Sequence, residues 1–549
     1  TWGDFPGLLL FSCLALVAYI WTAPFRELYG LESRNALMAK EMLEGGMGYL
    51  PTVHGRPYFD YPPLYFWLET LFSRLPGRIT TFTAVLPSAL AASGLVFLAG
   101  CFGRLHGTRT AGLAAVLLAT LPDFWIQASH ATIDMLLAFH CGLAVYCFLR
   151  GEEGASRAGA VLWTAGGLGA VAASFLSKGP IGIVLPAGIW CGYLVWGRRW
   201  KSLAVFVPIL GVWAGVLTGL HFSLLWKTGG GELVREVIRQ QVFHRVVGEA
   251  NKPLWYYPVH LAILVSPWLF RPASFAWKAI RRDGGRDPFA RVDTSRPGIL
   301  LFRLAWIWVG VVFVIFSLAG SRHARYLLPL HLPLCLLLAY AVEWTDENGD
   351  FPRGKGWERF FSILGWLVVG AGAAAFVLRM RDGQPPWVAG FLWIAFSLGG
   401  RWGVRFLVPR EGNRCTALLA LGLATGLMGF QALWEPGLSV RESGRSFVEA
   451  VESRASLELP VLLYGISADG DGIKFALYSR RPPGALRFVS SADDPESSPK
   501  PAILVFFEKD RPTLSRVLSS CPWTELASGF LHSRPVTALW MEEPCGSSP

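Results

Sequence analysis

The chain has 549 residues, of which 52% are apolar and only 16% charged, with a formal net charge of +11 and a mean hydropathy of +0.40. So little charge cannot cover the surface of a soluble protein this long, which excludes that class in favour of a polytopic membrane protein. The basic excess lies mostly in short links between apolar runs, where membrane orientation accounts for it, so nucleic acid is excluded as a partner.

The first apolar run, residues 5–24, lacks a basic lead and a small-residue cleavage site, and reads as a retained membrane helix. A polar and aromatic insert, Gly30–Leu68, follows it and holds Glu32, Arg34, Lys40, Glu41 and Asp60. Connections of this length and composition usually carry function. Further runs long enough to cross about 30 Å of hydrocarbon lie near 80–103, 109–126, 132–149, 159–176, 180–196, 203–225 and 256–272. They continue near 299–319, 324–342, 357–379, 386–408 and 415–433, which predicts about thirteen spans.

Basic residues occupy alternate links: Arg104 and Arg109, Arg150 and Arg157, Arg198 to Lys201, Arg271–Arg296 and Arg401–Arg414. The positive-inside rule assigns these links and the N-terminus to the cytoplasm, and the Gly30–Leu68 insert and the C-terminal tail to the outer face. Residues 1–435 thus read as a membrane domain with external loops at 25–79 and 226–255. Residues 436–549 alternate short β-rich runs, such as Ala502–Phe507, with amphipathic helical stretches such as Ser446–Ala455, and read as a small external α/β domain. Cys521 and Cys545 lie in that tail and could pair there.

The external segments concentrate the unusual side chains. Glu32 opens a helical stretch over 34–44, where the helix N-terminus favours a carboxylate; a plain cap explains it as well. Asp134 opens the fourth span on the outer side, as a functional carboxylate or a cap. Lys178, just ahead of Gly179-Pro180, combines a point charge with free backbone N–H groups, which suits a phosphate; snorkelling to lipid headgroups is the plainer reading. Arg322 and Arg325, with His323 between them, can fork onto phosphate oxygens or anchor at the lipid surface. Trp255, Tyr256 and Tyr257 form an aromatic belt, and His244 is a candidate metal ligand or proton carrier. Carboxylates, cations and aromatics on one side of a membrane suit glycosyl transfer from a lipid phosphate.

Glu32-x-Arg34, Ala39-Lys40-Glu41-Met42 and Tyr58-Phe59-Asp60-Tyr61-Pro62-Pro63-Leu64 together resemble the first external loop of the bacterial aminoarabinose and protein mannosyl transferase superfamily. The likeness continues in Ile133-Asp134-Met135, Lys178-Gly179-Pro180, Pro253–Tyr257 and Tyr326–Pro329. It implies a mainly α GT-C membrane fold, a polyprenyl-phosphate-linked sugar donor, a lipid or glycan acceptor such as lipid A, and inversion at the anomeric carbon. By this resemblance Glu32 or Asp134 is the catalytic base, because the family's preceding aspartate is Leu31 here. Lys178, Arg322, Arg325, Arg34 and Tyr326 would hold the donor phosphate, and Tyr58, Phe59, Tyr61, Trp255 and Tyr256 would line the substrate cavity. Asp60 and His244 would be the ligands of a divalent Zn, Mg or Mn ion, although the family's histidine aligns nearer Val242. The family's lysine after the acidic position is Tyr61 here. A protein Ser/Thr or another envelope glycan is the alternative acceptor, and a lipid or sugar transporter the alternative class.

Overall fold

The computed structural model describes residues 3–154, 156–239, 252–253, 255–265, 268, 298–319, 322–347, 355–381, 387–407, 411–489, 501–515 and 523–541. The chain divides into two compact units. One comprises Thr1–Trp21, Phe59–Tyr65 and Val85–Phe430; the other Thr22–Tyr58, Phe66–Ala84 and Gln431–Pro549.

Among the described residues the regular elements of the first unit are all helices, as the mainly α reading expects. Among the described residues eight helices are long and apolar enough to cross a membrane, against the thirteen or so anticipated. The difference has identifiable sources. The run near 109–126 is not one straight helix: Thr108–Ala119 and Pro122–Ala128 meet at 68°, because Leu121, ahead of a proline, takes an extended backbone. The run near 180–196 appears as a shorter apolar helix, Ile181–Trp196, and that near 357–379 lies in the helix Lys355–Arg381. The run near 256–272 is described as a helix only over Tyr256–Val265.

The helices Ile133–Glu152 and Arg157–Lys178 form an antiparallel hairpin. Ser156 caps the second helix by accepting the Gly159 N–H at 3.1 Å. Gly167 lets the pair close up, since a Cβ there would lie 2.4 Å from the Phe148 ring. Each helix is about twenty residues long, so the first turn of one comes level with the last turn of the other. That level carries Asp134 and Lys178.

In the second unit β1 (Thr52–Val53) and β2 (Arg56–Pro57) form a short antiparallel pair, and five further strands form a mixed sheet. These are β3 (Val461–Tyr464), β4 (Leu486–Val489), β5 (Ala502–Phe507), β6 (Trp523–Leu531) and β7 (Arg534–Met541), in the order β4-β3-β5-β7-β6. β3 runs parallel to β4 and β5, and β7 is antiparallel to β5 and β6. Central β5 is buried at every residue, which explains its unbroken apolar run. Leu462, Tyr464, Leu504, Phe506, Leu514 and Leu539 form a core cluster in this unit. The α/β character of the tail is therefore as expected. The same unit also holds most of the first loop: the helix Leu31–Gly45 packs on the helix Asp471–Tyr478. Lys40 ties the two by donating to the carbonyls of Ala476 and Ser479.

Candidate functional site

In the first unit the hairpin geometry puts Asp134 against Lys178, whose Nζ donates to Oδ1. The other carboxylate oxygen faces Arg325 Nε at 3.4 Å. Lys178 Nζ also lies 4.0 Å from the centre of the Tyr326 ring. Asp134 is 5% exposed and Lys178 8%, so their charges are largely withdrawn from water and their attraction is strengthened. Arg325 and Tyr326 are delivered by the 3-10 segment Ala324–Leu330, which packs on the helix that Asp134 opens. Tyr61 interacts electrostatically with Arg325. Two cations and a phenol ring thus gather round one buried carboxylate. Such a group can hand its cations to a phosphate arriving from outside, with Asp134 keeping them in place.

The remaining expected residues of this unit fall around that cluster in different ways. Arg322 donates to the backbone carbonyls of Lys252 and, at 2.8 Å, of Ser317, and so braces its own loop. Tyr256 packs on His260 with ring centres 4.1 Å apart and carries Lys252 over its face, while Trp255 is 65% exposed. Phe59, Asp60 and Tyr61 lead into the helix Leu64–Ser73. His244 lies outside the described residues, as do Cys521 and Cys545. Among the described residues no group of three His, Cys, Asp or Glu side chains could hold a metal ion. No step is assigned to a metal.

The second unit carries a separate buried network. Glu32, in the first turn of Leu31–Gly45, is held by Arg26 through both oxygens, Nη1–Oε2 at 2.6 Å and Nη2–Oε1 at 2.8 Å. Arg26 Nε faces Glu435 at 3.2 Å, and Tyr29 donates to Glu435 at 3.2 Å. Burial disfavours the Arg26 charge, but Glu32 and then Glu435 outweigh it and raise its pKa. Arg34 donates to the carbonyl of Asp469 at 2.8 Å and lies over the Tyr58 ring.

Sequence reasoning missed Arg26, Glu435 and Glu69. Arg26 and Glu435 each follow an apolar run directly, the position where a charge would ordinarily be taken for an interfacial anchor. Glu69 is fully buried, and neither of its carboxyl oxygens has a hydrogen-bond partner among the described residues. Burial, and then the nearby Glu32 charge, push its pKa well above the usual glutamate range. Its signal was a lone acid inside the apolar stretch Leu64–Phe72.

The chain has relatives among known proteins. Residues 60–226 match the family model for dolichyl-phosphate-mannose-protein mannosyltransferase. The chain is 30% identical over 399 residues to the undecaprenyl phosphate-alpha-4-amino-4-deoxy-L-arabinose arabinosyl transferase of Edwardsiella ictaluri, covering 69% of this chain and 66% of that one. It is 26% identical to the protein of the same name from Pseudomonas aeruginosa, over 67% of this chain and 70% of that one. The chain thus spans about two thirds of the length of these relatives. In fold it is similar to the crystal structure of ArnT from Cupriavidus metallidurans bound to undecaprenyl phosphate. That likeness has a TM-score of 0.72 at 20% identity and covers 96% of this chain and 97% of the other.

Proposed function

The chain belongs to the aminoarabinose transferase and protein mannosyltransferase superfamily of GT-C membrane glycosyltransferases, and on that premise we propose that it moves a sugar from a polyprenyl phosphate to an anionic acceptor. The reaction takes place at the outer face of a bacterial inner membrane. The N-terminus and the basic links lie in the cytoplasm, and the unit containing the C-terminal sheet lies outside.

The observation that carries this reading is the Asp134–Lys178–Arg325–Tyr326 cluster. An acceptor oxygen attacks the anomeric carbon from the face opposite the carrier. The bond from that carbon to the carrier oxygen breaks, and the electron pair leaves with the polyprenyl phosphate. Lys178 and Arg325 neutralise the charge developing on the leaving phosphate, which is where preorganised cations contribute most. Asp134 is a positioning residue here: it aims the two cations, and its own oxygens are already engaged.

The state of the two candidate bases supports one acceptor class over the other. Glu32 is gripped at both oxygens by Arg26, and Asp134 is paired at both of its own. A serine or threonine hydroxyl needs a free base to take its proton, and cation-paired carboxylates are poor ones. A phosphate is already ionised at neutral pH and needs none. A phosphate-bearing glycolipid such as lipid A therefore suits this site better than protein Ser/Thr. The test is transfer from a polyprenyl-phosphate sugar by the purified protein and by Lys178→Ala. Full activity in the variant would refute the phosphate assignment.

A further inference from the structure

The second unit contains a cleft of about 1000 Å³ that the proposed transfer does not use. That volume is at the upper end for small-ligand sites and exceeds what a bare anion needs. Pro24 and Phe82 form part of its wall. They stand at the ends of two apolar spans, Phe5–Phe25 and Thr81–Arg104, so the cleft opens at the level of the membrane surface. Beside it Leu71 is 50% exposed and Leu75 96%, next to the exposed Arg74 and Arg78. Bare leucines flanked by arginines just before a span form an interfacial anchor, with apolar groups in lipid and guanidinium groups at headgroup level.

The charges lining the cleft are not equally available. Glu449 accepts from Arg445 at 2.8 Å, Glu452 from Ser479 at 2.7 Å, and Glu27 takes the Ser443 hydroxyl. The remaining lining carboxylate, Glu44, lies near Lys40, which donates to two backbone carbonyls, whereas Arg78 makes no hydrogen bond or ion pair among the described residues. The cleft thus offers positive charge next to an apolar wall.

We propose that this cleft binds the phosphate-bearing headgroup of a lipid entering sideways from the bilayer, with Lys40 and Arg78 on the phosphate and Pro24 and Phe82 against the start of the chains. Binding is measured without transfer, so the inference stands or falls separately from the glycosyl-transfer reading. The experiment uses the full chain carrying Lys178→Met, which weakens the donor site, in neutral phosphatidylcholine nanodiscs, with native mass spectrometry as the readout. The probes are short-chain phosphatidylglycerol, a polyprenyl phosphate and inorganic phosphate. The expected result is binding of a lipid phosphate that Arg78→Gln weakens about tenfold, as for loss of one charge-assisted contact. Whichever lipid binds more tightly identifies the source. Equal affinity of Arg78→Gln and its parent for both lipids would overturn the proposal. So would inorganic phosphate binding as tightly as either lipid, since the apolar wall would then contribute nothing.

Discussion

Arg26 holds Glu32 by both ends of its guanidinium, at 2.6 and 2.8 Å, in surroundings that leave Glu32 only 4% exposed. With Glu435 on Nε, one buried cation serves two buried carboxylates. Replacing Arg26 removes the cation that faces both of them, and breaking a buried pair from one side costs about 3–5 kcal/mol. Arg26→Met should therefore lower the thermal midpoint of the detergent-purified protein sharply. Arg26→Met combined with Glu32→Gln and Glu435→Gln, which removes all three charges, should recover most of that loss. A single variant as stable as wild type would show that the network is not structural.

Lys178 and Tyr326 make a second pairing with a measurable consequence. The ammonium sits 4.0 Å from the ring centre, where a partly desolvated cation–π contact is worth about 0.5–2 kcal/mol. Tyr326→Leu should weaken binding of the polyprenyl-phosphate donor by roughly 2- to 30-fold on that basis. Lys178→Ala should weaken it by about ten- to a hundredfold, as expected for loss of a charged hydrogen bond. Both effects should appear in titrations with the unreactive carrier phosphate. If Tyr326→Leu bound the carrier more weakly than Lys178→Ala, the cation would not be the main contact.

Glu69 gives a pH dependence with a definite sign. Burial raises its pKa in the folded protein, so the native state keeps a proton that the unfolded chain releases above the ordinary glutamate value of 4.5. Its contribution is intact below that pH and is lost as pH rises toward the folded pKa. Glu69→Gln keeps the shape without the ionisation. The variant should gain stability relative to wild type as pH climbs from 4.5 toward neutrality, in thermal unfolding at a series of pH values. A difference that stays flat across that range would contradict a protonated, buried Glu69.

Leu31 is 52% exposed at the first position of its helix, beside the buried Glu32. A carboxylate there would face the positive end of the helix. Leu31→Asp should stabilise the helix by about 0.3–1 kcal/mol. Thermal unfolding of the variant compared with wild type checks this, and a variant no more stable than wild type would contradict it.

Much of the molecule was legible in the sequence because membranes impose simple rules. Apolar run length marked the spans, and the β-rich run Ala502–Phe507 became the central strand. The Pro122 bend was not anticipated, since hydropathy does not register backbone direction. Asp134 and Lys178 were each singled out, but their partnership across 44 residues depends on the register of a helix hairpin, which composition does not encode. Arg322 read as a phosphate ligand on charge alone, whereas its position turns it onto backbone carbonyls. The Gly30–Leu68 insert looked like one continuous external loop. Its residues divide between two units, with Glu32, Arg34 and Tyr58 in one and Asp60 and Tyr61 in the other.

The central claim is that Lys178 and its partners hold a lipid phosphate while an ionised acceptor takes the sugar. Its most direct measurement is sugar transfer by the purified protein from a polyprenyl-phosphate donor, offered a phosphorylated glycolipid and a serine/threonine peptide side by side. The account predicts transfer to the glycolipid phosphate, little to the peptide, and loss of transfer in Lys178→Ala. Preferential transfer to the peptide, or undiminished transfer without Lys178, would contradict it.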